Sequence, residues 1–546
     1  MRSSDLRGAG AADQPGDGRT ERSTRRSFLV GAGAVGAALA VGVGCSSDDD
    51  GGGAADRGEG RDRQTTDGEG DEGVSDDGVI HGVDVPAVAT IFGWVETVVA
   101  EGVRRPGYAA DQWAEEWCAE RFREIGLEDV ALEPVDVLRW EPTEWSLEVT
   151  AADGTTTTLD CFPVPYAAPV EGLEVELAAF DEAAPEAVAG KAALYDVTLL
   201  RLPGDFMAGQ GSIPTGATPA SRSVDPDGTL PGAHVIPFGA EFQDVLEPSM
   251  EAGAAAFIGV LSGYPGDSYE YFVPYDGVER PLPGVWIRGS DGARLHDLLA
   301  AGPVRVRLSV ATDVRTVESY NVVGELPGAD DDVVMIASHH DGPWASAVED
   351  GSGIALVLAQ ATYWAARPEE ERPHRLRFLL QGGHMSGGAG LHRYIEDHRD
   401  ELASVVLELH LEHAALEVAD PPSGPAASPD ELEPTGLATP RWWFTSRNPD
   451  LEAAVLGALT TEQLDRSMLA APDAFGAQPP TDGAFYHAEG VPIVNFLAAP
   501  FYLFDAMDTL DKVDADALVP LTRATIRIVD STRGVSASTM RAGIVG

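Results

Sequence analysis

Apolar positions along this chain follow different periods in different regions, and the changes divide it. In "DQWAEEWCAERFREIG", Trp113, Trp117, Phe122 and Ile125 recur near a three-to-four spacing, which predicts an amphipathic helix stopped by Gly126. "EWSLEVTAADGTTTTLDCF" alternates instead and predicts a hairpin turning at Ala152–Gly154. From about 166 to 312, short strand-like runs are separated by Pro and Gly. From 315 onward strand and helix alternate: "DVVMIASHHD", "SGIALVLAQATYWAA", "HRLRFLLQG", "LHRYIEDHRDEL", "SVVLELHLEH", "NPDLEAAVLGAL" and "PIVNFLAAP". Uninterrupted apolar runs such as "VVMI" suit strands buried on both faces. The expected fold is therefore α/β, a mostly parallel doubly wound sheet with helices on both faces, interrupted by a β-rich insertion.

Composition adds size and setting. With 546 residues, 44% of them hydrophobic, the chain can bury more than one core. Acidic residues number 89 against 37 basic, a net charge of −52, and Lys191 and Lys512 are the only lysines. Such a coat repels phosphates, so nucleic acid is not expected as a partner. It suits a protein kept soluble in high salt. "STRRSFLVGAGAVGAALAVGVGC" pairs Arg25–Arg26 with a short apolar run ending at Cys45. Residues 1–45 thus read as a twin-arginine export signal, with Cys45 placed for lipidation and membrane anchoring. Residues 46–84 are acidic and glycine-rich, a disordered tether. The expected location is outside the cell, either lipid-anchored at its surface or secreted. Export would allow Cys118 and Cys161 to pair or to remain free thiols.

In open α/β sheets, ligands bind beyond the carboxyl ends of the strands. His339, His340 and Asp341 follow "VVMIAS", with Glu349–Asp350 shortly after. His384 follows "LRFLL" in the glycine-rich "QGGHMSGGAG". Glu408, His410 and Glu412 alternate along one strand, and Asp505 and Asp508 follow "PIVNF". Imidazoles and carboxylates thus meet at one edge, the donor set that a zinc-type ion prefers. No Gly-x-Ser-x-Gly elbow with a plausible triad and no phosphate loop is present.

Several segments carry a family resemblance. "ESYNVVGELPGADDDVVMIASHHD", "DGSGIALVLA", "TDGAFYHAEGVPIV" and "DAMDTLDKVD" resemble the catalytic domain of the co-catalytic zinc aminopeptidase and glutamate carboxypeptidase family. "EAVAGKAALYDV", "EAGAAAFIGVLSG" and "RPLPGVWIRGSDGARLHDLLAAG" resemble the protease-associated (PA) domain inserted in its larger members. The resemblance implies a catalytic domain over 85–165 and 313–546, with a PA-like domain over 166–312. It makes His339 a zinc ligand and Asp341 its orienting carboxylate. Glu349 becomes the bridging carboxylate, with Asp350 its competitor, and Glu412 an acidic ligand. Where the family has a Glu-Glu pair, general base and ligand, this chain has His384–Met385. The closing histidine position falls on Phe504, beside Asp505, and the usual His of Ser-Asp-His is Gly483.

The reading that follows is an exported metallopeptidase acting on a peptide or N-acyl amino acid with one zinc ion, or two. His339, Glu349 or Asp350, and Glu412 would hold the first. His384 would be a fourth ligand or the general base. His410, His413 and Asp505 are spare donors for a second. The alternative is a binding protein at the cell surface on a retired enzyme scaffold.

Overall fold

The computed structural model describes residues 79–544 except 213–217, 219–220, 236–243, 422–423 and 477. The expected export signal, Cys45 and most of the acidic tether lie outside the described residues. Helices α1 (Val88–Ala100) and α2 (Ala109–Ile125) open the fold. Helix α2 buries Ala110, Ala114, Cys118 and Phe122, while Trp113 and Trp117 stack on each other at 5.5 Å along its margin. Gly126 ends it in the left-handed region at φ 102°, a conformation that glycine adopts without a Cβ penalty. Cys118 and Cys161 are both buried free thiols.

Strand β1 (Glu128–Thr150) turns into Thr156–Leu159 as a hairpin, pairing Leu147 with Leu159. Strands β2 (Val170–Ala179), β3 (Ala192–Thr198), β4 (Ala256–Ser262) and β5 (Gly284–Ile287) pair in that order, all parallel. Helix α3 (Gly289–Ala301) follows them. Strand β6 (Arg305–Leu326) then runs 22 residues without a break, through the boundary that the sequence resemblance implies at 312/313. Its first residues pair with β2, and almost its whole length pairs with β1. Strands β2–β5 therefore continue the main sheet along a shared strand.

The site is carried by four strands: β7 (Val333–His339), β8 (Arg375–Gln381), β9 (Val405–Leu411) and, further on, residues Ile493–Ala498, here β10. They lie parallel in the order β8–β7–β9–β10, with β6 antiparallel on the outer side of β8. Side chains alternate between two cores, as the period of two demands. Val334 and Ile336 face one core together with Ile354 and Leu358 of α4 (Gly353–Ala365). Val333, Met335 and Ala337 face the other, with Leu391 and Tyr394 of α5 (Ala389–Asp397) and Tyr486 of α6 (Gly483–Ala488). Helix α7 (Leu518–Asp530) packs outside α4. The sheet is mixed at its flanks and parallel at its centre, covered on both faces.

Trp364 in α4 has no exposed surface, and its indole N–H donates to Gln360 Oε1 at 3.1 Å. Trp364→Ala should cost about 3–5 kcal/mol, because a cavity and a stranded amide oxygen add to the lost burial. Denaturant unfolding of the full chain checks this as a lower midpoint at unchanged slope.

Candidate metal centre

Four histidines share one arrangement. In each, Nδ1 is held by an oxygen and Nε2 is directed into the same basin beyond β7, β8 and β9. His339 Nδ1 meets the Asp341 carbonyl at 2.9 Å, and His413 Nδ1 meets the Ala498 carbonyl at 2.8 Å. His410 Nδ1 meets Glu408 Oε1 at 2.9 Å, and His384 Nδ1 meets Asp482 Oδ1 at 2.9 Å. An oxygen on Nδ1 fixes the proton there and leaves Nε2 as a lone-pair donor, the usual outer support of a metal-bound imidazole.

The first donor group is His339, Glu349 and His413, whose ligand atoms all lie within 4.8 Å of one another. His339 Nε2 stands 3.4 Å from Glu349 Oε1, and His413 Nε2 lies against Glu349 Oε2. The approaches are close, yet none has hydrogen-bond alignment, and all four atoms are buried without a partner. Two histidines and one carboxylate could supply three ligands to a zinc-type ion. His413 takes a left-handed backbone at φ 57°, uncommon for a non-glycine residue, and this turn brings its ring to Glu349. Burial alone would raise the Glu349 carboxyl, but His413 and His339 outweigh it and hold it well below the carboxylate range. Burial opposes charge on His413, and Glu349 overcomes that, pushing the imidazole up to about 10.

Asp350 is already occupied. It accepts from Ser338 Oγ, and its Oδ1 accepts from Gly353 N at 3.0 Å, which pins the start of α4. That leaves Glu349 as the free carboxylate of the pair. Asp508 accepts from Val348 N and Glu349 N at 2.9 Å each, fixing the backbone that presents Glu349. Asp341 works through both its parts: the carbonyl holds His339, while the carboxylate accepts from His384 N at 3.0 Å and Met385 N at 2.7 Å. The aspartate thus couples the ligand loop to the glycine-rich loop. The carbonyl, where a carboxylate was expected, orients His339.

His384 stacks on His339 with ring centroids 4.1 Å apart, and Tyr275 of the insertion stacks on its other side at 5.4 Å. Its side chain keeps 15% exposure, against 0% for His339. Its Nε2 is 3.8 Å from Glu349 Oε1, beside the first donor group but outside it. Gly383 and Gly387, both at φ 74°, allow the loop to place it there. The Met385 side chain turns away into the hydrophobic core, and its carbonyl accepts from Tyr166 OH at 2.8 Å.

Glu412, expected beside His339, lies instead with His410 and Asp482 in a second group of the same compactness. Strand alternation explains this, since residues 410 and 412 share a face and 413 turns out of the strand. Asp505 joins neither group. Its carboxylate accepts from Met507 N at 2.9 Å, and burial pushes it up to about 7. It sits where residue 505 bridges to Tyr271 of the insertion. Phe504, at the closing-histidine position, stacks on Tyr275 at 4.8 Å. At Gly483 a Cβ would strike the Asn495 side chain, so a larger residue there would have to displace Asn495. Sequence reasoning missed Asp482 as a site residue, although it is the acidic residue of "TDG" just before α6.

A third cluster, Asp111, Glu115 and His340, is of another kind. Glu115 Oε1 accepts from Ser319 Oγ and Tyr320 N, Asp111 Oδ2 accepts from Gly107 N, and His340 Nε2 faces the Tyr320 carbonyl at 2.8 Å. Burial opposes charge on His340, but Asp111 at 3.0 Å outweighs it and pushes the imidazole up to about 9. This is a buried ion pair tying α2 to the end of β7.

The donor chemistry fits a zinc-type ion. Six carboxylates, Asp341, Glu349, Asp350, Glu408, Glu412 and Asp482, are buried around four imidazoles. Among the described residues none of the six forms a salt bridge with Lys or Arg. An acidic excess of this kind is costly unless a cation offsets it.

The fold and donor set define the class, a mixed α/β protein with a large central sheet and a buried imidazole–carboxylate basin at its strand ends. Residues 321–529 match the family model of Peptidase family M28. Over 122 residues the chain is 31% identical to Leucine aminopeptidase 2 of Arthroderma otae, a stretch covering 21% of this chain and about a quarter (24%) of that relative. A peptidase M28 precursor from Shewanella amazonensis superimposes with a TM-score of 0.59 at 20% identity, covering 82% of this chain and 94% of the other. A zinc aminopeptidase from Bacillus subtilis gives 0.57 at 16% identity, over 83% and 96%. An aminopeptidase from Aneurinibacillus gives 0.55 at 17%, over 83% and 94%.

Proposed function

We propose that the chain is an exported metal-dependent peptidase of the aminopeptidase type, with a zinc ion on His339, Glu349 and His413. The observation that carries this reading is the shared aim of four imidazoles whose Nδ1 atoms are tied and whose Nε2 atoms converge on unpaired buried carboxylates. A retired site would have no reason to keep these orientations. A bound zinc ion supplies Lewis-acid chemistry at the scissile carbonyl.

The chain's own residues do the rest. His384 Nε2, beside Glu349 and partly exposed, accepts the proton of the attacking water. Asp482 holds the Nδ1 proton, so His384 keeps one tautomer before accepting and is stabilised as imidazolium after. That proton then passes to the leaving amine. The Tyr275–His384–His339 stack fixes the ring plane. The insertion, read as PA-like, contributes Tyr275 and so roofs the site. Arg25–Arg26 and Cys45 would carry the protein out of the cell and anchor it to the membrane.

The test is release of amino-terminal residues from a peptide panel, with N-acylated amino acids in parallel. Zinc-loaded protein should turn over at least one class, and chelator should abolish this, with zinc restoring it. Loaded protein that turns over none would favour the cell-surface binding reading.

A further inference from the structure

We propose that Arg104, between α1 and α2, is a positioning residue for the first donor group: it holds the loop from His340 to Ser346 in the shape that presents His339 and Glu349 together. It lies 236 residues before His340, outside the stretch that matches the family model. The inference rests on the proposed function only in taking those two side chains as metal ligands.

Arg104 has no exposed surface. Its Nε donates to the His340 carbonyl at 3.1 Å, Nη1 to the Ala345 carbonyl, and Nη2 to the Ser346 carbonyl at 2.9 Å. Its backbone adds two bonds: Gly342 N donates to the Arg104 carbonyl at 2.9 Å, and Arg104 N donates to the Trp344 carbonyl at 3.0 Å. One residue thus reaches five positions between the two ligands. The loop needs such a hold. Ser346 sits at φ 44°, a left-handed conformation that a non-glycine residue keeps only where its surroundings over-determine it.

Across the loop, Asp508 accepts from the amides of Val348 and Glu349. The segment is therefore held between a buried guanidinium on its carbonyls and a buried carboxylate on its amides. Burial lowers the Arg104 pKa, while Asp508 and then Asp350 favour its charge. Arg105 adds a further bond, from Nε to the Pro343 carbonyl at 2.8 Å, and its guanidinium lies 4.4 Å from the Trp344 ring centre. Arg372 offers a comparison away from the basin. It too is buried and donates to backbone carbonyls, those of Trp364, Pro327 and Arg367 at 2.9, 2.7 and 2.8 Å.

The test compares Arg104→Lys, Arg104→Gln and Arg372→Ala in the full chain, with circular dichroism to confirm folding. Lysine keeps the charge but lacks the planar fork that spans three carbonyls. Zinc affinity, read by chelator competition, should fall about 10–100-fold in both Arg104 variants. In the metal-free protein, the Val348 and Glu349 amides should exchange with deuterium about tenfold faster, the equivalent of one lost hydrogen bond. Arg372→Ala should lower the denaturant midpoint yet leave both readings at the wild-type value. Wild-type zinc affinity or wild-type exchange in the folded Arg104 variants overturns the proposal. An equal loss of zinc affinity in Arg372→Ala also overturns it, since general destabilisation would then explain the effect. A wild type that binds no zinc sinks the proposed function, and exchange in the metal-free protein still decides whether Arg104 holds the loop.

Discussion

Replacing His339 with alanine should remove the first metal ion and cut turnover by roughly a thousandfold or more. The ring supplies one of three donors in its group, and its neighbours cannot replace it. Asp350, 3.9 Å away, is engaged by Ser338 and Gly353, and His384 is held on Asp482. A Lewis acid contributes several kcal/mol to a charged transition state, and each 1.36 kcal/mol is a decade in rate. The variant should still fold, since the loss is one hydrogen bond to the Asp341 carbonyl and a buried imidazole. Elemental analysis and kcat, measured on the same preparation, check both halves. Full activity with an emptied first site would refute the proposed assignment. Acid should mimic the substitution: His413 is held well above the usual imidazole range in the metal-free protein, so protons compete for its Nε2. Metal affinity therefore falls as pH falls.

His384→Gln should leave the first ion in place and lower kcat by about 10²–10⁴-fold, the usual contribution of a positioned base. Glutamine can still donate to Asp482 but cannot accept a proton at neutral pH. Burial lowers the affinity of His384 for its proton, but Asp482 first and Glu349 next outweigh it, pushing the imidazole up to about 10 without metal. A cation on Glu349 weakens that hold. In the loaded protein, activity should rise with pH as His384 loses its proton, and His384→Gln should lose that acid limb. If the variant instead loses the first ion, His384 is a ligand and the base lies elsewhere.

Much of the scaffold was legible because it depends on local pattern. The runs "VVMIASH" and "LRFLLQ" are buried on both faces, as their unbroken apolarity implies, and polar residues at their carboxyl ends fall in the basin. Position along the chain alone therefore marks His339, Glu349 and His384 as candidates for the basin. The choice between Glu349 and Asp350 was not legible, because it depends on Ser338 and Gly353 occupying Asp350. Asp505 read as a donor because it follows a site strand, but the loop bends its carboxylate towards Met507 N and the insertion.

What the sequence determined by itself is the order of strands and helices, the edge where the candidate donors gather and the residue types available there, since periodicity and strand direction are local properties. Which candidate donors come together was decided only by tertiary structure. His413 reaches Glu349 through a left-handed turn, and Asp482 reaches both His384 and His410 across the fold. Such groupings depend on side-chain directions over separations of 60 to 100 residues, roughly, and no local period encodes them.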